Sequence, residues 1–252
     1  MTLLDVQEVS KKFGELVAND RVSFKVEPGA IVGLIGPNGA GKTTLFNCIS
    51  GLFPPSAGRV FFDGADVTGL PAWRMARLGA VRTFQVVRPL KDMTVFDNVL
   101  VGALLRAPDG ARAREAAGEC VRLCRLEEFA AKPAGDLPIG CKKRLELARA
   151  LAARPKLLML DEVMAGLTST EVKGAVELLC RIRDTGVTLL VVEHIMEAIV
   201  PIADTLVVLD GGVKIAEGAP AEITADERVI SAYLGAKFSR RLQARRKERP
   251  HA

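Results

Sequence analysis

The stretch Gly36-Pro37-Asn38-Gly39-Ala40-Gly41-Lys42-Thr43-Thr44 constrains this chain more than any other. It is an unbroken G-x-x-x-x-G-K-[ST] pattern, whose physics requires a strand before it and a helix after it. Both are expected here: Ile31-Val32-Gly33-Leu34-Ile35 reads as a buried parallel strand, and Thr43 to Ser50 reads as a helix. The glycines let successive N–H groups curl inward, and the helix N-terminus adds partial positive charge, so the loop suits phosphates. In such a loop Lys42 reaches the β- and γ-phosphates of a nucleoside triphosphate. The Thr43 hydroxyl faces Mg²⁺, and Thr44 lies near the α-phosphate.

Around this loop the chain reads as mixed α/β. Leu3 to Val9 and Arg21 to Glu27 alternate like antiparallel strands, and Phe13 stands between them, either in the core or as a platform for a flat base. Arg59 to Phe62 and Val81-Arg82-Thr83-Phe84-Gln85 read as short strands, with a helix opened by Pro71 and closed by Gly79. About fifty helical residues follow. Thr94 with Asp97 forms a capping box, and a second helix runs from Ala111 to Phe129. Leu137-Pro138-Ile139-Gly140-Cys141 then leads into a helix from Lys142 to Ala153.

Two buried strands follow. Leu157 to Leu160 ends in Asp161-Glu162, and Val187 to Val192 ends in Glu193-His194. Open α/β sheets carry ligands at that edge. There Asp161 suits a magnesium ion, Glu162 can accept a hydrogen bond from attacking water, and His194 can bind a terminal phosphate. A second capping box, Thr168 with Glu171, starts a helix that Gly186 ends. Leu206 to Leu209 and Val213 to Ala216 read as a hairpin, with helical residues from Ala221 to Leu234.

Charge excludes one reading. The net charge is +5, but the tail from Lys237 to His251 holds seven basic side chains against Glu248 alone, leaving the body about −1. Nucleic-acid binding does not follow from such a balance. The tail reads as a solvated end or an electrostatic contact with anionic lipid. Five cysteines without a C-x-x-C pair and no signal peptide fit a reducing, cytoplasmic setting, and Cys120 with Cys124 makes a poor metal site. No apolar run reaches about 18 residues, so any membrane role is expected to run through a partner.

In their order these stations resemble the ATPase subunit of ATP-binding cassette transporters, from Leu3 to about Gly235. Gln85 sits at the family's Q-loop, Leu137 to Cys141 at its signature segment, Asp161 and Glu162 at the Walker B strand end, and His194 at the switch histidine. The resemblance implies a P-loop NTPase (RecA-like) core with an N-terminal antiparallel β subdomain and an inserted α-helical subdomain. The core would comprise 1–85 and 154–235, the helical insert 86–153, and the basic tail 236–252. ATP and Mg²⁺ are the implied cofactors. Gln85, Lys42, Glu162 and His194 are the implied catalytic set, Thr43, Gln85 and Asp161 the metal set, and Phe13, the loop 36–44 and Gly140 the nucleotide contacts.

The implied partners are a second cassette subunit, same or paralogous, two membrane permeases and an extracytoplasmic solute-binding protein, at the cytoplasmic face of the inner membrane. Arg82-Thr83-Phe84-Gln85, Leu137 to Gly140 with Lys143 to Glu146, and Asp161 to Leu167 resemble the subgroup importing branched-chain and other hydrophobic amino acids. A soluble cassette ATPase and a non-hydrolysing regulatory subunit remain open alternatives. Departures fall at the signature segment and after the Walker B glutamate. Where the family's signature reads Leu-Ser-Gly-Gly-Gln, this chain has Pro138, Ile139 and Cys141, with Val163 where Pro usually follows the glutamate and Thr168 where Asp is common.

Overall fold

The computed structural model describes residues 2–83 and 88–234. In chain order its elements are β1 (Leu4–Phe13), β2 (Leu16–Val26), β3 (Ile31–Ile35), α1 (Lys42–Ile49), β4 (Ala57–Phe62), β5 (Ala65–Asp66), α2 (Ala72–Leu78), β6 (Ala80–Arg82) and α3 (Val95–Ala103). There follow α4 (Gly110–Leu123), α5 (Ile139–Ala152), β7 (Leu157–Asp161), α6 (Ser169–Asp184), β8 (Thr188–Val192), α7 (Met196–Ile199), β9 (Thr205–Asp210), β10 (Val213–Gly218), α8 (Pro220–Ala225) and α9 (Glu227–Leu234).

Two sheets result. A four-stranded antiparallel sheet has the order β2-β1-β4-β5, and a six-stranded sheet has the order β10-β9-β3-β8-β7-β6. Neighbours from β6 to β9 run parallel, and only β10 returns antiparallel. In β3, β7 and β8 every residue is buried, as expected of strands covered on both faces. Their side chains alternate between two cores. Leu34, Met159, Leu190 and Val192 join the antiparallel sheet and Phe46 of α1 on one face. Ile35, Leu158, Leu160 and Val191 join helices α3 to α6 on the other.

Registration decides what this sheet can do. Leu34 of β3 and Asp161 of β7 both pair with Val192 of β8. The three strands therefore end together, and Gly36, Glu162 and Glu193-His194 leave the sheet side by side.

Several boundaries differ from the sequence reading for physical reasons. β1 and β2 meet in a tight connection at Gly14, whose φ is 58°, so Phe13 ends a strand rather than standing between two. Helix α4 stops at Leu123 rather than Phe129, because Arg125 takes the left-handed region at φ 53° and a separate 3₁₀ turn follows at Glu127–Phe129. Pro71 is an N-cap residue rather than a first-turn residue, and α5, with Pro138 at its N-cap, begins at Ile139 rather than Lys142 and takes Gly140 into its first turn. The C-terminal helical stretch is two helices, broken at Asp226.

Candidate nucleotide site

The phosphate loop is folded around its own lysine. Lys42 opens α1, is only 6% exposed, and donates to the carbonyls of Gly36 (2.8 Å) and Pro37 (2.9 Å). Burial pulls its ammonium below the usual lysine range, against the opposing pull of the Glu162 and Asp161 carboxylates. Gly36 and Gly41 are there by necessity. An added Cβ would stand 2.1 Å from the Leu209 carbonyl at Gly36, and 2.5 Å from the Ala18 carbonyl at Gly41, whose φ is 92°. At Gly39 a Cβ would meet nothing within 4 Å, so the tip opens onto free space. Ala40 N–H donates to Pro37 O (3.2 Å), and Gly212 N–H donates to Ala40 O (3.2 Å), buttressing the loop from the β9–β10 turn. Buried Asn19 donates its side-chain amide Nδ2 to Gly41 O (3.2 Å). Asn38 and Thr43 are exposed, Thr44 half-buried.

Beside the loop stand the strand-end acids. Asp161 is 2% exposed; its Oδ2 lies 3.5 Å from the Arg82 guanidinium, and its Oδ1 is buried without a hydrogen-bond partner among the described residues. Burial raises its carboxyl above the ordinary range, Arg82 and Lys42 oppose that, and Glu162 reinforces it. Glu162 adopts φ 48°, an uncommon conformation for a residue with a side chain, held by its N–H to Val192 O (2.9 Å). His194 Nδ1 lies 3.7 Å from Glu162 Oε1, within ion-pair reach of a protonated imidazole and beyond hydrogen-bond length. The edge thus gathers the loop, Asp161, Glu162 and His194.

An implied magnesium ion fits this donor set. Among the described residues no group of three or more His, Cys, Asp or Glu could hold a metal by itself. Thr43 and Asp161, whose Oδ1 is buried and unsatisfied, supply hard oxygens of the kind Mg²⁺ takes alongside phosphates and water. Gln85, the third expected ligand, lies outside the described residues.

Two expected contacts belong to neither the loop nor the strand ends. Phe13 is 48% exposed and so is no core residue; it meets Phe53 edge-on at 5.7 Å, with Lys11 Nζ 5.1 Å from its ring centre. Gly140, in the first turn of α5, packs against Glu171, whose Oε1 would stand 2.6 Å from an added Cβ.

Sequence reasoning assigned no role to three buried or half-buried groups. Arg82 was noticed only within its tetrapeptide. Lys143 donates to the carbonyls of Glu162 (3.4 Å), Val163 (3.0 Å) and Ala165 (2.5 Å), gripping the loop that carries the glutamate. Glu193, 0% exposed, accepts the Met164 N–H at 2.8 Å. A charged residue directly after an otherwise apolar strand was the local signal for Glu193, and Lys143 was noticed only within the stretch Lys143 to Glu146. Between α5, this loop and α6 lies a cavity of about 260 Å³, lined by Gly140, Cys141, Lys143, Val163 and Leu167 among others.

A parallel sheet with this loop at its carboxyl edge and two acids beside it defines a P-loop nucleotide-binding protein. Residues 19–165 match the family described as ABC transporter, and 213–239 match that described as branched-chain amino acid ATP-binding cassette transporter. The chain belongs to the ATP-binding cassette family of ABC transporters, whose members hydrolyse ATP. It is 41% identical to the high-affinity branched-chain amino acid transport ATP-binding protein BraF of Pseudomonas aeruginosa, over 92% of this chain and 98% of that one. It is 39% identical to the corresponding Escherichia coli protein LivG over the same shares. Among solved structures, a nucleotide-free ATP-binding cassette from an ABC transporter superposes with a TM-score of 0.84 at 31% identity, covering 93% of this chain and 100% of that one. A dimeric post-hydrolysis cassette bound to ADP and Pi gives 0.77 at 26% identity, covering 86% and 99%.

Proposed function

We propose that this chain is the ATP-hydrolysing subunit of an importer for branched-chain or other hydrophobic amino acids. It works as a dimer at the cytoplasmic face of the inner membrane, with two permeases and an extracytoplasmic binding protein. The observation that carries the reading is the shared edge where Lys42, Asp161, Glu162 and His194 meet, on a chain whose relatives bear branched-chain transport names.

The 36–44 loop wraps the phosphates, Lys42 leaves its own loop carbonyls for the β- and γ-phosphates, and Phe13 offers its exposed ring to adenine. Thr43, Asp161 and Gln85 would hold Mg²⁺, which when bound would neutralise and orient phosphate oxygens. Glu162 takes a proton from water as its oxygen attacks the γ-phosphorus and the bond to the β,γ-bridging oxygen breaks, leaving ADP and inorganic phosphate. His194, beside Glu162, stabilises the γ-phosphate oxygens.

The other half of each site comes from Gly140 of a facing subunit, through the N–H groups and dipole of α5. Closure on ATP and reopening after hydrolysis pass through the 86–153 helical segment to the permeases. The test is Glu162→Gln in the assembled complex. Phosphate release is expected to fall by about a hundredfold or more with mant-ATP binding kept, and uptake of radiolabelled leucine should stop. Unchanged turnover overturns the assignment of Glu162, and absence of ATP-dependent uptake of any hydrophobic amino acid overturns the importer reading.

A further inference from the structure

We propose that Arg82 is a positioning residue for the cation site: it fixes one oxygen of Asp161 to helix α1, so that the other is presented to the metal of a bound nucleotide. This rests on the ATPase reading above.

Arg82 ends β6, next to β7, with Arg82 registered on Met159. Its side chain is 8% exposed, and its guanidinium is held on three sides. One terminal nitrogen donates to Asn47 Oδ1 (2.7 Å) and Ser50 Oγ (2.7 Å), both at the C-terminal end of α1. The plane lies 4.9 Å from the centre of the Phe46 ring, and Nε donates to Thr83 O (3.3 Å). The second terminal nitrogen stands 3.5 Å from Asp161 Oδ2. A planar fork is what lets one side chain satisfy α1 and still face a carboxylate; a lysine has a single nitrogen for both.

The geometry divides the carboxylate. Oδ2 faces a cation that cannot swing away, while Oδ1 is buried and lacks a hydrogen-bond partner among the described residues. At 3.5 Å the pair is longer than a strong hydrogen bond, so Arg82 orients the carboxylate by charge and leaves its acceptor capacity for another ion. Helix α1 begins with Lys42 and Thr43, so the same helix that meets the phosphates at its N-terminus anchors Arg82 near its other end. The distance between the Thr43 hydroxyl and the Asp161 carboxylate is thereby set by one rigid element. A plain helix-to-sheet staple has no need of the contact to Asp161.

The test separates metal binding from nucleotide binding in the purified full chain. The probe is Mn²⁺, with its half-saturating concentration in the presence of ATP read from the paramagnetic resonance of the free ion. Nucleotide binding is read by mant-ATP fluorescence in EDTA. Arg82→Met is expected to weaken Mn²⁺ by about tenfold while metal-free mant-ATP binding stays within about twofold, and Arg82→Lys recovers part of the loss. Unchanged Mn²⁺ binding overturns the proposal. So does an equal loss in EDTA, which would make Arg82 a general support of α1. If Arg82→Met does not fold, the double variant Asn47→Ala/Ser50→Ala decides. It keeps the charge opposite Asp161 and cuts the anchors, with a loss of about threefold expected and no loss overturning the idea. A wild-type chain that binds no mant-ATP overturns the nucleotide reading itself, whatever Arg82 does.

Discussion

The phosphate loop and the Glu162–Glu171 segment against α5 leave the same core and are built in opposite ways. The loop is held by backbone: Gly36 and Gly41 with no room for a methyl, carbonyls that grip Lys42, and a buttressing main-chain bond from Gly212. The second region is held by side chains. Lys143 grips three carbonyls, Glu193 takes an amide, and Thr168 with Glu171 closes a complete capping box beside Gly140. Every departure from the family pattern falls in the second region, and the cavity lies there too. A backbone-built site tolerates little change at its glycines, whereas a side-chain-built one can exchange a proline for Val163 if other bonds hold the loop.

The comparison breaks most sharply at Gly36. Gly36→Ala puts a methyl 2.1 Å from the Leu209 carbonyl, and Gly36 has φ 150°. Overpacking and strain together cost about 3 kcal/mol, so nucleotide affinity is expected to fall by about a hundredfold, measured by mant-ATP titration. Binding within about threefold of wild type would mean that the loop yields like a surface turn.

Lys143→Met probes the other construction. Removing a charged donor from three carbonyls costs about 1.5–3 kcal/mol. If that energy holds Glu162 in place, kcat falls by about tenfold or more with KM within about twofold, and Lys143→Arg recovers most of it. A matching loss in KM, or no kinetic change alongside a lowered Tm, would reduce Lys143 to a packing residue.

What the sequence made legible follows the same division. Strand β3 and the start of β7 were readable to the residue, because fully buried parallel strands are near-continuous apolar runs; β7 carries one charged residue, Asp161, beyond its apolar run. The Thr168–Glu171 capping box was equally local and is complete. Arg82, Lys143 and Glu193 act across the fold, over separations of 79, 19 to 22, and 29 residues to their partners Asp161, the 162–165 carbonyls and Met164. Spacing carries no trace of such contacts. The overrun of α4 has a different origin: an apolar face continued past Leu123, but the chain turns left-handed at Arg125 so that Leu126 can enter the core at 0% exposure. Gln85, the remaining station, lies outside the described residues.

Thr168→Ala is the milder test of the side-chain-built region. Losing the cap costs about 1 kcal/mol, or about 2–4 °C in Tm for a chain of this size. Because Glu171 packs on Gly140, turnover in the assembled complex is expected to drop by more than nucleotide binding does. Equal changes in both would separate the cap from the signature helix.

An effect of similar size and opposite sign is expected at Glu193. Burial holds this carboxyl above the ordinary glutamate range in the folded state, despite the Met164 N–H and nearby His194. A carboxyl raised by folding stabilises below its unfolded pKa, and that contribution is lost as pH climbs through the folded value. At neutral pH an ionised Glu193 therefore costs stability. Glu193→Gln keeps an oxygen for the Met164 amide and removes the charge, so Tm should rise by about 2–4 °C near pH 8, for about 1 kcal/mol. The gain should shrink as pH falls through the raised carboxyl range and vanish near pH 4. A gain independent of pH would trace to packing rather than charge. A loss at neutral pH would mean that the Lys143 ammonium, whose protonation Glu193 favours, offsets the burial of the carboxylate, and the two would then count as one buried ion pair holding the Glu162 loop.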